Sequence, residues 1–277
     1  MATKIFTVSF LCGTLKIAIL PPLKVKILMK NLSLPVSFFL IVMLFFACKT
    51  VFQPTAVQYK DYRISPTQPI NNELTSLLQP YADSVNKNMN DVVAFAAIEL
   101  HKKQPEGTLG NVMADAMLEQ AKKKFNTPVD ASFINYGGIR LPSIPAGKIT
   151  RGKIFELSPF DNIIVLLKIN GNTLQQFLNI VASKGGWPCT GIQFQIKNKQ
   201  AVNILIGNNP INGNNVYTIA MLDYVANGGD DCVMLKSIPQ QNNGYLFRDA
   251  VLDYFAGKTK EGKAISSTIQ NRVSNAE

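Results

Sequence analysis

Phe133-Ile134-Asn135-Tyr136-Gly137-Gly138-Ile139-Arg140 is the stretch where residue types and spacing come closest to chemistry. A short apolar run, Val129 to Ile134, reaches a polar turn with paired glycines, and an arginine follows. Adjacent glycines let a backbone adopt positive φ and approach a ligand closely. Asn135 both donates and accepts, and the planar fork of Arg140 suits a phosphate or a carboxylate. Taken singly, the same residues also describe a tight turn with a solvated arginine.

Three further stretches accompany it. Leu109-Gly110-Asn111-Val112-Met113-Ala114-Asp115-Ala116-Met117 lies upstream. Ser158-Pro159-Phe160-Asp161-Asn162 and Asp223-Tyr224-Val225-Ala226-Asn227-Gly228-Gly229-Asp230 lie downstream. In this order, across Val57 to Val273, the four motifs resemble the C-terminal domain of the 5'-nucleotidase family, which includes UDP-sugar hydrolases and related periplasmic phosphoesterases. The resemblance implies a single α+β (mixed α/β) domain that recognises a nucleotide or nucleoside. It places the two base-stacking aromatics on Phe160 and Tyr224, with tyrosine in place of the commoner phenylalanine. It also assigns the ribose-binding carboxylate to Asp230 and the contacts on the phosphate and ribose side to Asn135 and Arg140. Read without the resemblance, Phe160 is equally a core aromatic, Tyr224 a strand aromatic and Asp230 a turn cap. The family carries an arginine shortly before Leu-Gly-Asn as a further phosphate ligand. Here the segment reads His101-Lys102-Lys103-Gln104-Pro105-Glu106-Gly107-Thr108, so Lys103 is the candidate, a point charge without a bidentate fork.

Full-length members of that family add an N-terminal metallophosphoesterase domain whose His, Asp and Asn side chains hold two divalent metals. The single histidine, His101, sits at a strand end without an obvious acid partner, and no Gly-x-Ser-x-Gly nucleophile motif occurs. No catalytic residue, metal site or cofactor is therefore assigned to this chain. The expected function is nucleotide recognition alongside a separately encoded metallophosphoesterase that supplies the two divalent metals. The alternative is a stand-alone nucleotide-binding lipoprotein without hydrolase activity.

The 277 residues allow one or two domains, and the formal charge is +10. Five of the 28 basic residues (Lys4, Lys16, Lys24, Lys26 and Lys30) precede residue 48 with no acid among them; without them, 23 bases face 18 acids, a charge of +5. No Lys/Arg run with interleaved aromatics points to nucleic acid. Cys12, Cys48, Cys189 and Cys232 show no zinc spacing. Cys189 and Cys232 could pair in an oxidising compartment, although Cys232, within an apolar run, reads as a buried free thiol.

Met29-Lys30 precedes the charge-free apolar stretch Leu32 to Ala47, which ends at Cys48. A basic start, a short apolar core and a small residue before cysteine resemble a bacterial lipoprotein signal, with Cys48 as the lipidated residue. Phe45 and Phe46 depart from the stricter form of that box. The competing reading is an uncleaved anchor, although about 16 apolar residues fall short of a full span. The expected organisation is an extra or mis-started segment over 1–28, a signal over 29–47, a tether over 48–69 and the domain over 70–277. The expected location is the outer membrane or periplasmic side of a bacterium, anchored by lipid.

Periodicity places the elements. A strand is expected over Val57 to Ile64. A helix carries Leu74, Leu77, Leu78, Tyr81 and Val85, kinked or broken at Pro80. Val92 to Ile98 reads as a buried strand, and Leu109, Val112, Met113, Ala116, Met117 and Ala121 mark a helix face. Further elements are a strand Ala131 to Ile134, a short helix Ile149 to Leu157, a strand Ile163 to Ile169 and a helix after Asn170-Gly171-Asn172. Ile192 to Ile196 alternates as an antiparallel strand, Val202 to Ile206 and Val216 to Met221 suggest a hairpin, and a last helix from Phe247 stops at Gly257.

Overall fold

The structure, a computed structural model, describes residues 70–277. Cys48, the signal and tether segments and the strand expected over Val57 to Ile64 lie outside them. In chain order the elements are α1 (Asn72–Met89), β1 (Val92–Ala96), β2 (Leu100–His101), α2 (Thr108–Phe125), β3 (Ala131–Phe133), β4 (Ser143–Ile144), β5 (Gly147–Thr150) and α3 (Arg151–Leu157). They continue with β6 (Ile164–Asn170), α4 (Gly171–Ser183), β7 (Cys189–Thr190), β8 (Ile192–Lys197), β9 (Gln200–Ile206), β10 (Asn209–Pro210) and β11 (Val216–Leu222). After these come α5 (Asp223–Ala226), β12 (Gln240–Gln241), α6 (Phe247–Lys260) and β13 (Val273–Asn275).

A five-stranded mixed sheet, ordered β12-β6-β11-β3-β7, divides the domain. Strand β6 is apolar at every residue from Ile164 to Leu167, and alternate side chains leave a strand on opposite faces. Ile164 and Leu166 therefore join one core, with Leu109, Met113 and Met117 of α2 and Val251 and Phe255 of α6. Val165, Leu167 and Ile169 join the other, with Leu174, Phe177 and Val181 of α4 and Phe194 of β8. Helix α4 starts where the sequence indicates, because Asn170 accepts from Thr173 N at 2.8 Å as its N-cap.

Four expectations change. Residues Val202–Ile206 and Val216–Met221 do not form a hairpin: β9 pairs with β8 and β10, whereas β11 lies between β6 and β3 in the other sheet. The intervening turn is tied instead to the start of α4, with Gly171 N donating to Asn215 O at 3.0 Å, so the two strands close one core from two sheets. Strand β1 is half-buried rather than buried, with Ala94 and Ala96 inward and Phe95 outward. It belongs to a two-stranded ribbon with β5, joined on its other edge by a single bridge to Ile265, and only one face meets the core. Helix α6 runs through Gly257 to Lys260, held by Lys258 Nζ to Glu119 Oε2 (3.0 Å) and Thr259 Oγ1 to Val93 O (3.0 Å). His101 does have an acid neighbour, Glu99 at 3.8 Å, although both side chains are half exposed.

Helix α1 runs through Pro80 and keeps its apolar stripe, but Leu74, Leu77, Leu78, Tyr81 and Val85 all face solvent and no residue of α1 is buried. In its last turn Met89 lies close against Gly152 of α3. Cys189 and Cys232 are buried free thiols, and burial pushes both thiols up to about 12. Among the described residues no helix is long and apolar enough to cross a membrane.

Candidate functional site

The topology of the central sheet collects the motifs at one edge. Strands β3 and β11 are parallel, so the loops that follow both emerge at that edge; β6 is antiparallel to β11, so the loop that precedes it arrives there too. A two-way latch fixes the last two loops together. Asp223 N donates to Ile163 O at 3.0 Å, while Asp223 Oδ1 accepts from Ile163 N (3.1 Å) and Tyr224 N (2.9 Å). The result is a cleft of about 360 Å³ lined by Asn135, Gly137, Gly138, Arg140, Phe160, Asn162, Tyr224 and Asp230. Phe160 is 44% exposed and Tyr224 47%, whereas the other large aromatics of β3 and α4, Phe133 and Phe177, are buried. Large rings left open to water beside polar groups are available to a ligand.

The polar wall is built around Asn135. Its Nδ2 donates to Asp230 Oδ2 at 2.6 Å, which holds the carboxylate at the cleft. Gly138 makes room for this side chain, since a Cβ there would lie 2.7 Å from Asn135 Oδ1. Asp230 itself adopts φ 52, a left-handed conformation that aspartate tolerates better than most residues. Gly229 admits the other aromatic: a Cβ at that position would lie 2.6 Å from Tyr224 Cε1 and Cζ. Arg140 stands with Cζ 5.6 Å from the Phe160 ring centroid and donates weakly to Gly137 O at 3.4 Å.

Of the six candidates from sequence, Asn135, Arg140, Phe160, Tyr224 and Asp230 meet in this cleft. Lys103 is exposed and does not line it. The cation beside Arg140 is Lys102, whose Nζ donates to Ile139 O at 2.7 Å and lies 3.9 Å from the Tyr136 ring centroid. Burial, and then the Arg140 charge, hold the Lys102 amine below the usual lysine range. Neighbouring residues in extended chain point to opposite sides, so a one-residue offset decides which lysine turns inward. Asn162 and Arg248 were not legible as site residues. Arg248 lies in the first turn of α6, far along the chain, and reaches the Phe160 loop only through folding.

An aromatic pair, a cation and a hydrogen-bonded carboxylate suit a flat heteroaromatic ring bearing hydroxyls or an anion. Among the described residues no group of three or more His, Cys, Asp or Glu is placed to hold a metal ion, so they do not fit a dimetal centre.

Comparison with known proteins identifies the family and the fold. The family model for the 5'-nucleotidase C-terminal domain matches residues 89–237. A 5'-nucleotidase of Vibrio parahaemolyticus is 28% identical over 192 residues, covering 65% of this chain and 33% of its own length. The chain thus spans about a third of the length of that curated relative. The structure of a 5'-nucleotidase precursor from Thermus thermophilus superposes with a TM-score of 0.65 at 24% identity, over 76% of this chain and 44% of that one. Haemophilus influenzae NAD nucleotidase gives 0.56 at 18% identity, over 75% of this chain and 42% of its own. With the matched model extending over more than half of the sequence and the fold shared, the chain belongs to the 5'-nucleotidase family through that family's C-terminal domain.

Proposed function

We propose that this domain binds a nucleoside or nucleotide with its base between Phe160 and Tyr224, its ribose hydroxyls on Asp230 and its phosphate side toward Asn135 and Arg140. The observation that carries the reading is the cleft itself, with two open rings facing the Asn135–Asp230 pair and Arg140. A base stacked on an aromatic side chain gains about 1–3 kcal/mol, which suits rings left in water when the cleft is empty. Lys102 adds positive charge beside Arg140 without a second guanidinium fork.

Hydrolysis is assigned to a separately encoded metallophosphoesterase that docks on this domain. Its two divalent metals would generate the attacking hydroxide and neutralise charge developing on phosphorus. Support comes from the Vibrio parahaemolyticus relative, of which this chain covers 33%, and from the apolar stripe of α1, which the other described residues leave exposed. The export signal and Cys48 add a lipid anchor to this reading. The absence of a second arginine fork beside Arg140 favours one competing reading, a nucleoside-binding lipoprotein that performs no hydrolysis.

The test is calorimetric titration of the purified full chain with adenosine, uridine, AMP, UMP and UDP-glucose. Wild-type protein is expected to bind at least one of them, and Phe160→Ala and Tyr224→Ala each to weaken it by roughly 5- to 150-fold, the equivalent of one stack. No binding by wild type, or binding indifferent to both substitutions, overturns the proposal.

A further inference from the structure

Phe160 lies on a loop whose own hydrogen bonds do not explain its position. Ser158 N caps α3 by donating to Ile154 O, and Asn162 O accepts from Phe247 N, but between these points the loop is held from outside by one side chain. Arg248, in the first turn of α6, sends Nη2 to Asp161 Oδ1 at 2.7 Å. Its Nη1 donates to Pro159 O at 3.2 Å and lies 3.5 Å from Ser158 O. The guanidinium also lies over Phe155 of α3, with Cζ 4.4 Å from that ring centroid. The three acceptors bracket Phe160 on both sides in sequence. Arg248 is only 9% exposed, and its Nε is buried without a partner.

Burying a guanidinium with one donor unsatisfied is unfavourable unless the remaining contacts compensate. The Asp161 carboxylate is 78% exposed, so as a surface ion pair it contributes little to stability. What the arrangement does supply is geometry: a rigid planar fork can reach two backbone carbonyls and a carboxylate at once, and a lysine cannot. We propose that Arg248 is a positioning residue for nucleotide recognition, holding the Pro159-Phe160-Asp161 loop so that the Phe160 ring stands open at the cleft and next to Arg140. The inference rests on the reading that Phe160 stacks a base, but its geometric half is independent of any ligand. Nothing local in the sequence connects Arg248 to this loop; the bridge between Ile163 and Leu246 and the bond from Ile164 N to Tyr245 O (2.9 Å) bring it there.

The experiment uses the full chain with 4-fluorophenylalanine at position 160, in wild-type, Arg248→Lys and Arg248→Gln backgrounds. Fluorine NMR without ligand reports the ring, differential scanning calorimetry reports the fold, and titration with adenosine and AMP reports recognition. In wild type the fluorine resonance is expected to be shifted from that of the urea-unfolded chain. In Arg248→Gln it moves toward the unfolded position and narrows, and nucleoside affinity falls roughly tenfold, within the range of one lost stack. In that background Phe160→Ala then removes little more. Arg248→Lys, which keeps charge and most of the volume, is expected to restore the melting temperature more fully than the fluorine shift or the affinity. An unchanged fluorine resonance in both folded variants overturns the proposal, as does a Phe160→Ala effect of full size in Arg248→Gln. If Arg248→Gln does not fold, Arg248→Lys decides alone by the same resonance. If wild type binds neither adenosine nor AMP, the nucleotide reading loses these two ligands while the fluorine result still decides whether Arg248 places the ring.

Discussion

Two adjacent glycines, Gly228 and Gly229, allow the placement of Tyr224 to be separated from the stability of its loop. At Gly229 an added methyl would lie 2.6 Å from Tyr224 Cε1, Cζ and O, against ordinary carbon contacts of about 3.5–4.0 Å. The ring can swing away but the carbonyl oxygen cannot, so Gly229→Ala must displace the aromatic and shift the loop. Overpacking of this kind costs about 1–3 kcal/mol. At Gly228 the nearest atom to an added methyl is Val233 Cα at 3.5 Å, which is unstrained, but φ is 92. Gly228→Ala therefore carries a left-handed penalty of about 1–2 kcal/mol and leaves the ring alone. In a domain of this size about 1 kcal/mol lowers Tm by about 2–4 °C, so the two variants are expected to melt at similar, reduced temperatures. They separate in binding. Gly229→Ala loses up to the value of one base stack, roughly 5- to 150-fold, while Gly228→Ala stays within about twofold of wild type. Calorimetric melting paired with nucleoside titration measures both. Equal affinities for the two variants, at comparable melting temperatures, would refute the argument that Gly229 exists to seat Tyr224.

Other consequences are open to equally direct measurement. Asp230→Asn keeps an acceptor for Asn135 but exchanges a charge-assisted hydrogen bond for a neutral one, a difference of about 1 kcal/mol. Nucleoside affinity is expected to fall about fivefold while affinity for the free base is unchanged; equal losses for both would remove Asp230 from the ribose. Cys189 and Cys232, with thiols raised to about 12 by burial, are expected to resist iodoacetamide at pH 8 and to react fully in urea. Their folded values lie above the unfolded value near 8.5, so the unfolded chain loses these protons first and Tm falls as pH rises from about 9 toward 12. Fast alkylation of the native protein would contradict their burial. Arg272 makes a two-pronged pair with Asp115 at 2.8 and 2.9 Å while only its partner is partly open to water. Arg272→Met leaves that carboxylate unpaired and is expected to destabilise the domain by about 3 kcal/mol, the lower end for a broken buried pair. A urea midpoint equal to wild type would show that the pair is idle.

Much of the fold is encoded in short-range pattern. The apolar run of β6, the Asn170 cap of α4 and the methionine-lined face of α2 each carry their own reason to form, and each forms where that pattern lies. The same holds for the site motifs, because a glycine pair, a Pro-Phe loop and a Gly-Gly-Asp turn constrain their own backbones. Pairing between distant strands is different. The turn between β9 and β11 reads as a hairpin by composition, yet the strands enter separate sheets because two faces of one core must be closed.

By itself the sequence determined the types and the local motifs of the residues that line the cleft, two aromatics, an arginine, an asparagine and an aspartate, while their nucleotide roles come from the family resemblance. Only the tertiary structure decided that Lys102 rather than Lys103 turns toward Arg140, that the other described residues leave the stripe of α1 exposed, and that Arg248 reaches the Phe160 loop. The physical reason is range. Backbone conformation and side-chain chemistry are set within a few residues, whereas side-chain direction and burial depend on partners that only the assembled sheet brings together.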